Sequence, residues 1–471
     1  MVERLENNKN NNILAVDFSN FKKIFLIGIG GAGMSAIAIV LKGMGFNVGG
    51  SDIKESRYTD ILKKSKIKVI IGHDKENING YDAVIYSAAI SLENIEIKEA
   101  FKKNIPIYTR SDVLAWILNK NKGIAIAGTH GKTTTTSMIS MILSGLKLNP
   151  TIIIGGELNE LGTNASFGTG EYVVAEACES DGSFIKYNPF ISVVTNIEED
   201  HMEYYLNYEN LKNSFINFIN NTKENGFLIY NADEIFFDKQ NLTKNINIFK
   251  YGILENNDIY AQDIVLDDFS SHYIAVVKGK NLKFPVKLNV PGIHNVKNSL
   301  AALSVAYKIG LNLSEAIKIL ENFKGVKRRF EKKGEKNGVI IIDDYAHHPS
   351  EIKATLDAAK LFKNKRIITI FQPHRYTRIK ALYKKFDTCF NNTDILVLTD
   401  IYPSGEEPIP GITSKLLVDL LIDNNFNKKL AYIPKLSDVK EYIDNIANKD
   451  DIILVMGAGD ITRVSDDLLK S

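Results

Sequence analysis

Cysteine is almost absent from this sequence, with only Cys178 and Cys389 among 471 residues. The two are far apart and lack metal-ligand spacing, so they exclude a disulfide framework and predict ordinary buried thiols in a reducing compartment. Net charge is also nearly absent, because 58 Lys and Arg offset 56 Asp and Glu to leave +2. The balance therefore indicates neither a nucleic-acid partner nor an anionic membrane.

Long apolar runs are equally scarce. Residues 1–12 are polar and rich in asparagine, which predicts neither a signal peptide nor an anchor and favours the cytoplasm. One uncharged stretch, 24–41, has the length of a membrane span. Four glycines within 28–33 interrupt it, which favours a strand, a tight turn and a helix start in an α/β core. We therefore expect no membrane partner.

The pattern of apolar runs predicts an α/β fold throughout. A length of 471 residues with 44% hydrophobic residues predicts about three domains. Apolar runs that end at Gly28, Gly128 and Gly457 are typical of buried parallel strands that lead into ligand loops. A helical pattern over 298–323 alternates with strand-like runs, as expected for α/β chains. These strand-like runs are 172–175, 191–195, 339–343 and 367–371.

Few proline-rich or glycine-rich linkers mark the domain boundaries, so we place the cuts near 119 and 326. Residues 1–19 are predicted to be a flexible tail and 20–119 a Rossmann-like domain. Residues 120–326 are predicted to be a central P-loop ATPase-like domain, with a small antiparallel insertion over 258–290. Residues 327–471 are predicted to be a second Rossmann-like domain.

The first candidate site is the G-x-G-x-x-G motif formed by Gly28, Gly30 and Gly33. Glycines allow the backbone to approach a pyrophosphate, and Asp52, at the end of the next predicted strand, can bind a ribose hydroxyl. The motif fits any diphosphate-linked nucleotide, most often a dinucleotide cofactor. A tight turn without a ligand is the alternative.

The second candidate site is the sequence GTHGKTTTT at 128–136. Backbone amides and a helix N-terminus would hold phosphates there, Lys132 would neutralise them, and Thr133 or Thr134 would reach Mg²⁺. The spacing departs from G-x-x-x-x-G-K-[ST], because the preceding glycine lies only three residues before Gly131. An ATP-binding loop and a chance Gly-Lys-Thr therefore both remain open at this point.

The sequence around this loop resembles the Mur ligase family of ATP-dependent amide-forming enzymes, and the resemblance covers about 20–465. The motifs that carry it, in chain order, are GIGGAGMS at 28–35, a loosely matching stretch at 81–90, GTHGKTTT at 128–135, EACESDGSF at 176–184, TNIEEDHMEYY at 195–205, PGIHNVKNSLAA at 291–302, RRFE at 328–331, DDYAHHPSEI at 343–352, FQPHRYTR at 371–378 and YPSGEEPIPG at 402–411. Their shared order makes coincidence implausible.

The resemblance implies a reaction and its ligands. The motifs are most similar to those of family members that join L-alanine to the lactyl carboxylate of UDP-N-acetylmuramate, through an acyl phosphate, in peptidoglycan precursor synthesis. ATP and Mg²⁺ are the implied cofactors, and the implied state is a monomer or homodimer. The glycine motif at Gly28 would then bind the UDP of the nucleotide-sugar, with no hydride chemistry.

The resemblance also assigns residues. The ATP site would contain Gly128, Thr129, His130, Gly131, Lys132, Thr133, Thr134, His294, Asn295, Asn298, Arg329 and Asp344. The UDP-sugar site would contain Gly28, Gly30, Gly31, Gly33, Asp52 and Ser87. Thr133, Glu176 and His201 would hold magnesium, and Lys132, Glu176 and His201 would be catalytic. The amino-acid site would contain Tyr345, His347, His374, Arg375 and Arg378.

Several alternatives compete with these assignments. The carboxylates Glu179, Asp181, Glu198, Glu199 and Asp200 would also suit a solvated acidic rim. Asn298 would suit helix capping, and paired histidines are often ordinary surface or core residues. The rival functions are a nicotinamide-dependent dehydrogenase, a catalytically silent nucleotide-binding protein, and a sister ligase that attaches a recycled peptide to the same UDP-sugar.

Overall fold

In the computed structural model, the residues described are 16–158, 163–235, 242, 246–280 and 282–470. They fall into two compact units. The first contains the described residues of Met1–Ile197, Leu211–Ile259 and Leu300–Ile319, and the second contains those of Glu198–Asn210, Tyr260–Ser299 and Leu320–Ser471. Three groups of strands alternate with helices, as the sequence predicts.

The N-terminal part of the first unit is a five-stranded parallel sheet. Its elements are β1 (Lys23–Ile27), α1 (Ala32–Gly43), β2 (Asn47–Asp52), α2 (Arg57–Lys64), β3 (Lys68–Ile71), β4 (Ala83–Tyr86), α3 (Ile95–Lys102), β5 (Ile107–Thr109) and α4 (Arg110–Lys120). The strand order β3-β2-β1-β4-β5 is the Rossmann order 3-2-1-4-5-6 without its sixth strand. The uncharged stretch at 24–41 is therefore β1, a turn and α1, and no helix among the described residues is long and apolar enough to cross a membrane.

The central part supplies a mixed sheet to the first unit. Its elements are β6 (Lys122–Ala127), α5 (Lys132–Gly145), β7 (Thr151–Leu158), β8 (Thr163–Ser166), β9 (Tyr172–Glu176), β10 (Ile191–Val194), α6 (Met202–Tyr205), α7 (Tyr208–Asn220), β11 (Phe227–Asn231) and β12 (Asn247–Gly252). Its order in this unit is β12-β11-β10-β6-β9-β7-β8, parallel except for the β7–β8 pair. The carboxyl ends of β6, β9 and β10 therefore meet at one edge.

The predicted antiparallel insertion is confirmed, and the helical pattern predicted over 298–323 is divided between two helices. The segment contains β13 (Ile259–Leu266), β14 (Ser271–Val277), β15 (Leu282–Leu288), α8 (Ile293–Lys308) and α9 (Leu313–Leu320). Gly310 adopts a left-handed φ of 80° and ends α8. The Asn312 side chain then accepts hydrogen bonds from the Ser314 and Glu315 backbone N–H groups and starts α9.

The C-terminal sheet lies in the second unit. Its elements are β16 (Glu331–Lys336), β17 (Val339–Asp344), α10 (Pro349–Ala359), β18 (Ile367–Phe371), α11 (Tyr376–Leu382), β19 (Ile395–Leu398), α12 (Ser414–Asp423), β20 (Lys429–Tyr432), α13 (Leu436–Ile446), β21 (Ile452–Met456) and α14 (Thr462–Leu469). The order is β16-β17-β21-β18-β19-β20, parallel except at the β16 edge. The ends of β17 and β18 place the DDYAHH and QPHRYTR motifs at one edge.

The predicted tail over 1–19 ends earlier than expected, and its first 15 residues lie outside the described part of the chain. Phe18 is fully buried, with its ring 4.8 Å from that of Tyr108 and 5.5 Å from that of Trp116. The Asp17 carboxylate accepts hydrogen bonds from Trp116 Nε1 and Lys120 Nζ. Burial of an aromatic ring, which amino-acid polarity alone does not show, fixes these residues to the first domain.

Helix α1 packs directly on the β7–β8 hairpin within the first unit. The buried Asn164 side chain donates hydrogen bonds to the Ala32 carbonyl at 2.5 Å and to Ser35 Oγ at 3.2 Å. A Cβ at Gly43 would lie 2.3 Å from the Cβ of Phe167, so a glycine is required at this crossing. The N-terminal sheet and the central sheet are thereby tied together.

Candidate functional site

The glycine motif at Gly28 forms a tight loop between β1 and α1. The N–H groups of Gly28 and Ile29 both donate to the Ser51 carbonyl, at 2.8 and 3.0 Å. Asp52 Oδ2 accepts the Gly30 N–H at 2.8 Å, and a Cβ at Gly30 would lie 2.9 Å from that oxygen. A Cβ at Gly28 would likewise lie 3.4 Å from the Cβ of Ser87. The structure thus brings Asp52 and Ser87 to the glycine loop, as predicted.

The phosphate loop lies where β6 gives way to α5. Gly131 adopts a φ of 79° and precedes the helix, and because it has no side chain the first-turn N–H groups are open to an anion. A Cβ at Gly128 would lie 2.0 Å from Thr195 Oγ1. Thr195 Oγ1 donates to the His130 carbonyl at 2.5 Å, and Asn196 Oδ1 accepts the His130 N–H at 2.8 Å. The end of β10 therefore fixes the loop's shape.

Lys132 is held in this loop by a buried carboxylate. Its Nζ lies 2.8 and 3.0 Å from the two oxygens of Glu179, which is only 2% exposed, and it also donates to the carbonyls of Gly128 and Thr129. Burial lowers the pKa of Lys132, but the charge of Glu179 outweighs it and leaves the pKa above its ordinary value. Lys132 is therefore a fixed cation, and Glu179 is not part of a solvated rim.

The predicted magnesium ligands are divided between the two units. Glu176 ends β9 half-buried, with Oε1 accepting the Gly155 N–H at 2.8 Å, and Thr133 follows Lys132 in the same unit. A carboxylate and a hydroxyl are the hard oxygen donors that Mg²⁺ prefers, so these residues fit that ion. His201 belongs to the second unit, and its joining them stays a prediction.

Within the second unit, Asp200 and Arg378 form a buried two-pronged ion pair. Arg378 Nε and Nη2 each lie 3.2 Å from an Asp200 oxygen. Although burial raises the pKa of Asp200, the Arg378 charge outweighs it and holds that pKa well below its usual range. Asp200, like Glu179, thus departs from the solvated-rim alternative. His201 follows directly, its Nε2 being 3.6 Å from Asp200 Oδ2.

Arg378 also fixes the protonation of His374. Its Nη1 lies 3.1 Å from His374 Nδ1, and a guanidinium can only donate, so Nδ1 accepts and the proton is on Nε2. Burial, together with the nearby His347 and Arg378, lowers the pKa of His374 to about 2. The Tyr402 ring stacks on this neutral imidazole at a centroid distance of 5.6 Å. Arg378 as an amino-acid ligand stays a prediction.

Arg375 has a more open setting than Arg378. It adopts a φ of 68° at the start of α11 and is 30% exposed. Its Nη1 lies 3.0 Å from Glu203 Oε1, and its Nε lies 3.0 Å from Glu406 Oε1. The planar fork is thus accessible at the same edge, as recognition of a carboxylate requires.

Tyr345 and His347 follow the end of β17. His347 Nδ1 lies 2.9 Å from the Tyr345 carbonyl and therefore donates to it. Burial lowers the pKa of His347 to about 4, so the ring is neutral near pH 7. The His347 and His374 rings are 5.7 Å apart, so the structure brings two predicted amino-acid ligands together.

The predicted adenine-side residues lie in the second unit. Asn295 Nδ2 donates to the Pro291 carbonyl at 2.7 Å, and Asn298 Nδ2 lies 3.4 Å from Asn295 Oδ1. Because α8 begins at Ile293, Asn298 is inside the helix and the capping alternative is wrong. Asp344, at the end of β17, accepts the N–H groups of Phe330 and Ala346, and burial raises its pKa to about 6.

Arg329 contacts the ring of Tyr345 at 5.1 Å, and its Nη1 lies 3.4 Å from Glu351 Oε1. His294 is half-buried, and the charge of Arg329 acts on its imidazole. Burial, and then the charge of Arg329, lowers the pKa of His294 to about 4. The second unit therefore brings His294 and Arg329 together, as the ATP-site assignment requires.

Three histidines with lowered pKa values predict that the protein is sensitive to acid. The folded-state pKa values of His294, His347 and His374 all lie below 6.5, so the unfolded chain binds more protons below that pH and stability falls as pH falls. Each contributes about 1.4 kcal/mol per pH unit between 6.5 and its folded pKa. The pKa of Asp344 is raised, so the folded state takes up a proton on this carboxyl between about pH 6 and 4. In that range Asp344 offsets the loss of stability caused by one of the three histidines.

The measurement is the free energy of unfolding in urea between pH 7.5 and 5. A His294→Gln variant should reduce the slope by about 1.4 kcal/mol per pH unit. An unchanged slope would contradict the burial of a neutral imidazole at this position.

The sequence analysis did not identify the residues that fix the phosphate loop and its lysine. Thr195 and Asn196 brace the phosphate loop, and Glu179 holds Lys132. The parallel register of β6 and β10 pairs Ala127 with Val194 and so places Thr195 beside Gly128, and only the tertiary fold shows this register. Cys178, predicted buried, is half-buried, while Cys389 is buried as predicted.

Comparisons with known proteins cover nearly all of the chain. The Mur ligase family catalytic domain matches residues 23–122, the Mur ligase middle domain 126–306, and the Mur ligase glutamate ligase domain 328–459. A UDP-N-acetylmuramate–L-alanine ligase of Geotalea daltonii is 41% identical, covering 96% of this chain and 98% of its own.

Similar proteins of known structure also belong to this group of ligases. The UDP-N-acetylmuramate–alanine ligase of Thermotoga maritima is 30% identical with a TM-score of 0.80, covering 95% of this chain and 98% of its own. A murein peptide ligase of Psychrobacter arcticus shares the fold, with a TM-score of 0.71 at 24% identity and coverage of 95% and 98%. The chain belongs to the Mur ligase family.

Proposed function

We propose that this protein is an ATP-dependent ligase that joins L-alanine to the lactyl carboxylate of UDP-N-acetylmuramate. The observation that carries this is the phosphate loop, in which buried Glu179 fixes Lys132 beside open helix N–H groups. The similarity to a Geotalea daltonii ligase of that name, over 98% of its length, supports the choice of substrates. The domain boundaries near 119 and 326 and a cytoplasmic location remain predictions.

A carboxylate must be activated before an amine can displace its oxygen. The substrate carboxylate would attack the γ-phosphate of ATP and displace ADP, which forms an acyl phosphate. The amine would then attack the carbonyl carbon, and the tetrahedral adduct would lose an amine proton and expel phosphate to leave the amide. Lys132 and the first-turn N–H groups of α5 would stabilise charge on the transferred phosphoryl group. Magnesium, held by Thr133, Glu176 and His201, would supply further neutralisation of phosphate charge.

The amine substrate would bind at the C-terminal sheet. Arg375 and Arg378 would face its carboxylate, with Tyr345, His347 and His374 around it. The neutral imidazoles of His347 and His374 add no positive charge that would repel an ammonium group. One methylene or hydroxyl changes binding by only about 1–3 kcal/mol, so glycine and L-serine are the competitors to test.

The test is phosphate release from ATP and Mg²⁺ with UDP-N-acetylmuramate. L-Alanine, a muropeptide-type tripeptide and no amine are compared. We expect release with L-alanine and a product heavier by one alanyl residue. Release with the tripeptide alone would transfer the assignment to the recycling ligase, and no release with either amine would contradict the ligase.

A further inference from the structure

The motif YPSGEEPIPG at 402–411 contributes no residue to the predicted sites, yet it packs on the loop between β18 and α11. The Tyr402 N–H donates to the Pro373 carbonyl at 2.8 Å, and the Arg375 N–H donates to the Tyr402 carbonyl at 2.9 Å. The Tyr402 ring also stacks on His374. The motif therefore fixes the backbone on both sides of His374, in the loop that carries two of the predicted amino-acid ligands.

The chain then turns back, so that the side chain of Glu406 reaches the same loop. The Glu406 N–H donates to the Pro403 carbonyl at 3.1 Å. Between them, Ser404 and Gly405 have φ angles of 52° and 85°, and two positive φ angles are typical of a type I′ turn. Glu406, whose side chain is only 15% exposed, accepts the Thr377 N–H on Oε2 at 3.1 Å and the Thr377 hydroxyl on Oε1 at 2.6 Å. Its carboxylate is thus fixed at the first turn of α11.

From this position Glu406 also contacts the guanidinium of Arg375. Glu406 Oε1 lies 3.0 Å from Arg375 Nε, and Glu203 Oε1 lies 3.0 Å from Nη1. Within the described part of the chain, Arg375 Nη2 donates no hydrogen bond, and the side chain is 30% exposed. Two carboxylates therefore fix one side of the guanidinium, while the two N–H groups of Nη2 remain available to a substrate.

The backbone of Arg375 is strained, and contacts from the 402–411 motif hold it in place. Its φ of 68° and ψ of 132° form a combination that residues other than glycine rarely adopt. Such a conformation costs about 1–3 kcal/mol and persists only where the surrounding structure determines it. Here the Tyr402 carbonyl fixes the backbone N–H of Arg375, and Glu406 fixes its side chain. Both contacts come from a motif that the predicted site does not use.

A fixed guanidinium distinguishes an amino acid from other amines. An amino acid carries a carboxylate on the carbon that bears its amine, whereas its amide has nearly the same shape without that charge. A guanidinium whose orientation is fixed in advance binds the carboxylate with little further loss of side-chain entropy. We propose that Glu406 is a positioning residue that orients Arg375 toward the α-carboxylate of the substrate, and so sets the preference for a free amino acid; this rests on the proposed function.

The test compares L-alanine with L-alaninamide, which keeps the amine and the methyl group but lacks the carboxylate. Initial rates of phosphate release with ATP, Mg²⁺ and UDP-N-acetylmuramate give kcat and KM for each amine. We expect Glu406→Gln to raise the KM for L-alanine about tenfold, with kcat changed less than about twofold and kcat/KM for L-alaninamide unchanged. The matched control is Glu407→Gln, which removes the same charge from the next residue, an exposed one, and should change neither amine.

A double variant tests whether Glu406 acts through Arg375. Adding Glu406→Gln to Arg375→Ala should cause no further loss in kcat/KM for L-alanine, because the side chain that Glu406 orients is already absent. Additive losses, or equal losses for L-alanine and L-alaninamide, would assign Glu406 to the folding of α11 alone and overturn the inference. An active protein in which Glu406→Gln and Glu407→Gln have the same KM for L-alanine would also overturn it. Failure of the unmodified protein to release phosphate with L-alanine would instead overturn the proposed function, and this inference with it.

Discussion

Replacing Lys132 by methionine is expected to reduce L-alanine-dependent phosphate release about a thousandfold or more. The ammonium group is the fixed positive charge in the phosphate loop, and charge stabilisation of this kind supplies a large share of the rate in phosphoryl transfer. The same change leaves the Glu179 carboxylate, 2% exposed, without its cation. We therefore also expect a loss of about 3–5 kcal/mol in the free energy of unfolding.

The two effects separate in a double variant. Lys132→Met with Glu179→Gln removes both charges, so stability should recover while activity stays lost. The matched control is Lys186→Met, because Lys186 is also mostly buried and lies 2.6 Å from Asp112 in an ion pair of the same unit. Recovery of activity in the double variant would show that Lys132 acts only through folding.

Replacing Arg378 by alanine should destabilise the protein by about 3–5 kcal/mol and abolish turnover with L-alanine. The change strands Asp200 in a buried position, removes the donor to His374 Nδ1, and deletes a predicted carboxylate ligand. Arg375→Ala should raise the KM for L-alanine with little change in stability, because Arg375 is partly exposed. Unfolding in urea and initial rates over a range of L-alanine concentrations measure the two properties.

A control variant and a double variant separate the effect of Arg378 on stability from its predicted role in binding L-alanine. Arg366 makes a similar two-pronged pair with buried Asp451 at the far end of β18, so Arg366→Ala should affect stability alone. Asp200→Ala combined with Arg378→Ala should restore stability. If the double variant also regains the normal KM for L-alanine, then Arg378 is not a carboxylate ligand.

Much of the fold follows from the sequence because its apolar runs are buried strands. The apolar runs before Gly28, Gly128 and Gly457 form the strands β1, β6 and β21, respectively, and each of these strands pairs with parallel neighbours. Local pattern failed where one residue decides the outcome, as at Gly310, which ends a helix whose apolar pattern continues beyond it. It failed again at Phe18, whose burial depends on side chains about one hundred residues away.

The sequence predicts the motifs of the candidate site but not the ion pairs that its residues form. Lys132 and Arg378 stand out in the sequence as candidate ligands of anions. Their partners Glu179 and Asp200 belong to runs of acidic residues that are typical of exposed surface, and only the tertiary fold shows that both are buried. Charge patterns predict composition of a surface, whereas ion pairing depends on which strand ends are neighbours.

The contact of Asn164 with helix α1 has a consequence for inhibitors. It ties α1, which follows the glycine loop, to β8 of the sheet whose strand β6 leads into the phosphate loop, and both loops lie in one compact unit. Two weak fragments, one on each loop, could then be connected by a linker without ordering the loops against each other. The second fragment would bind at a high effective concentration, and affinity would rise steeply once the linker length matches the gap.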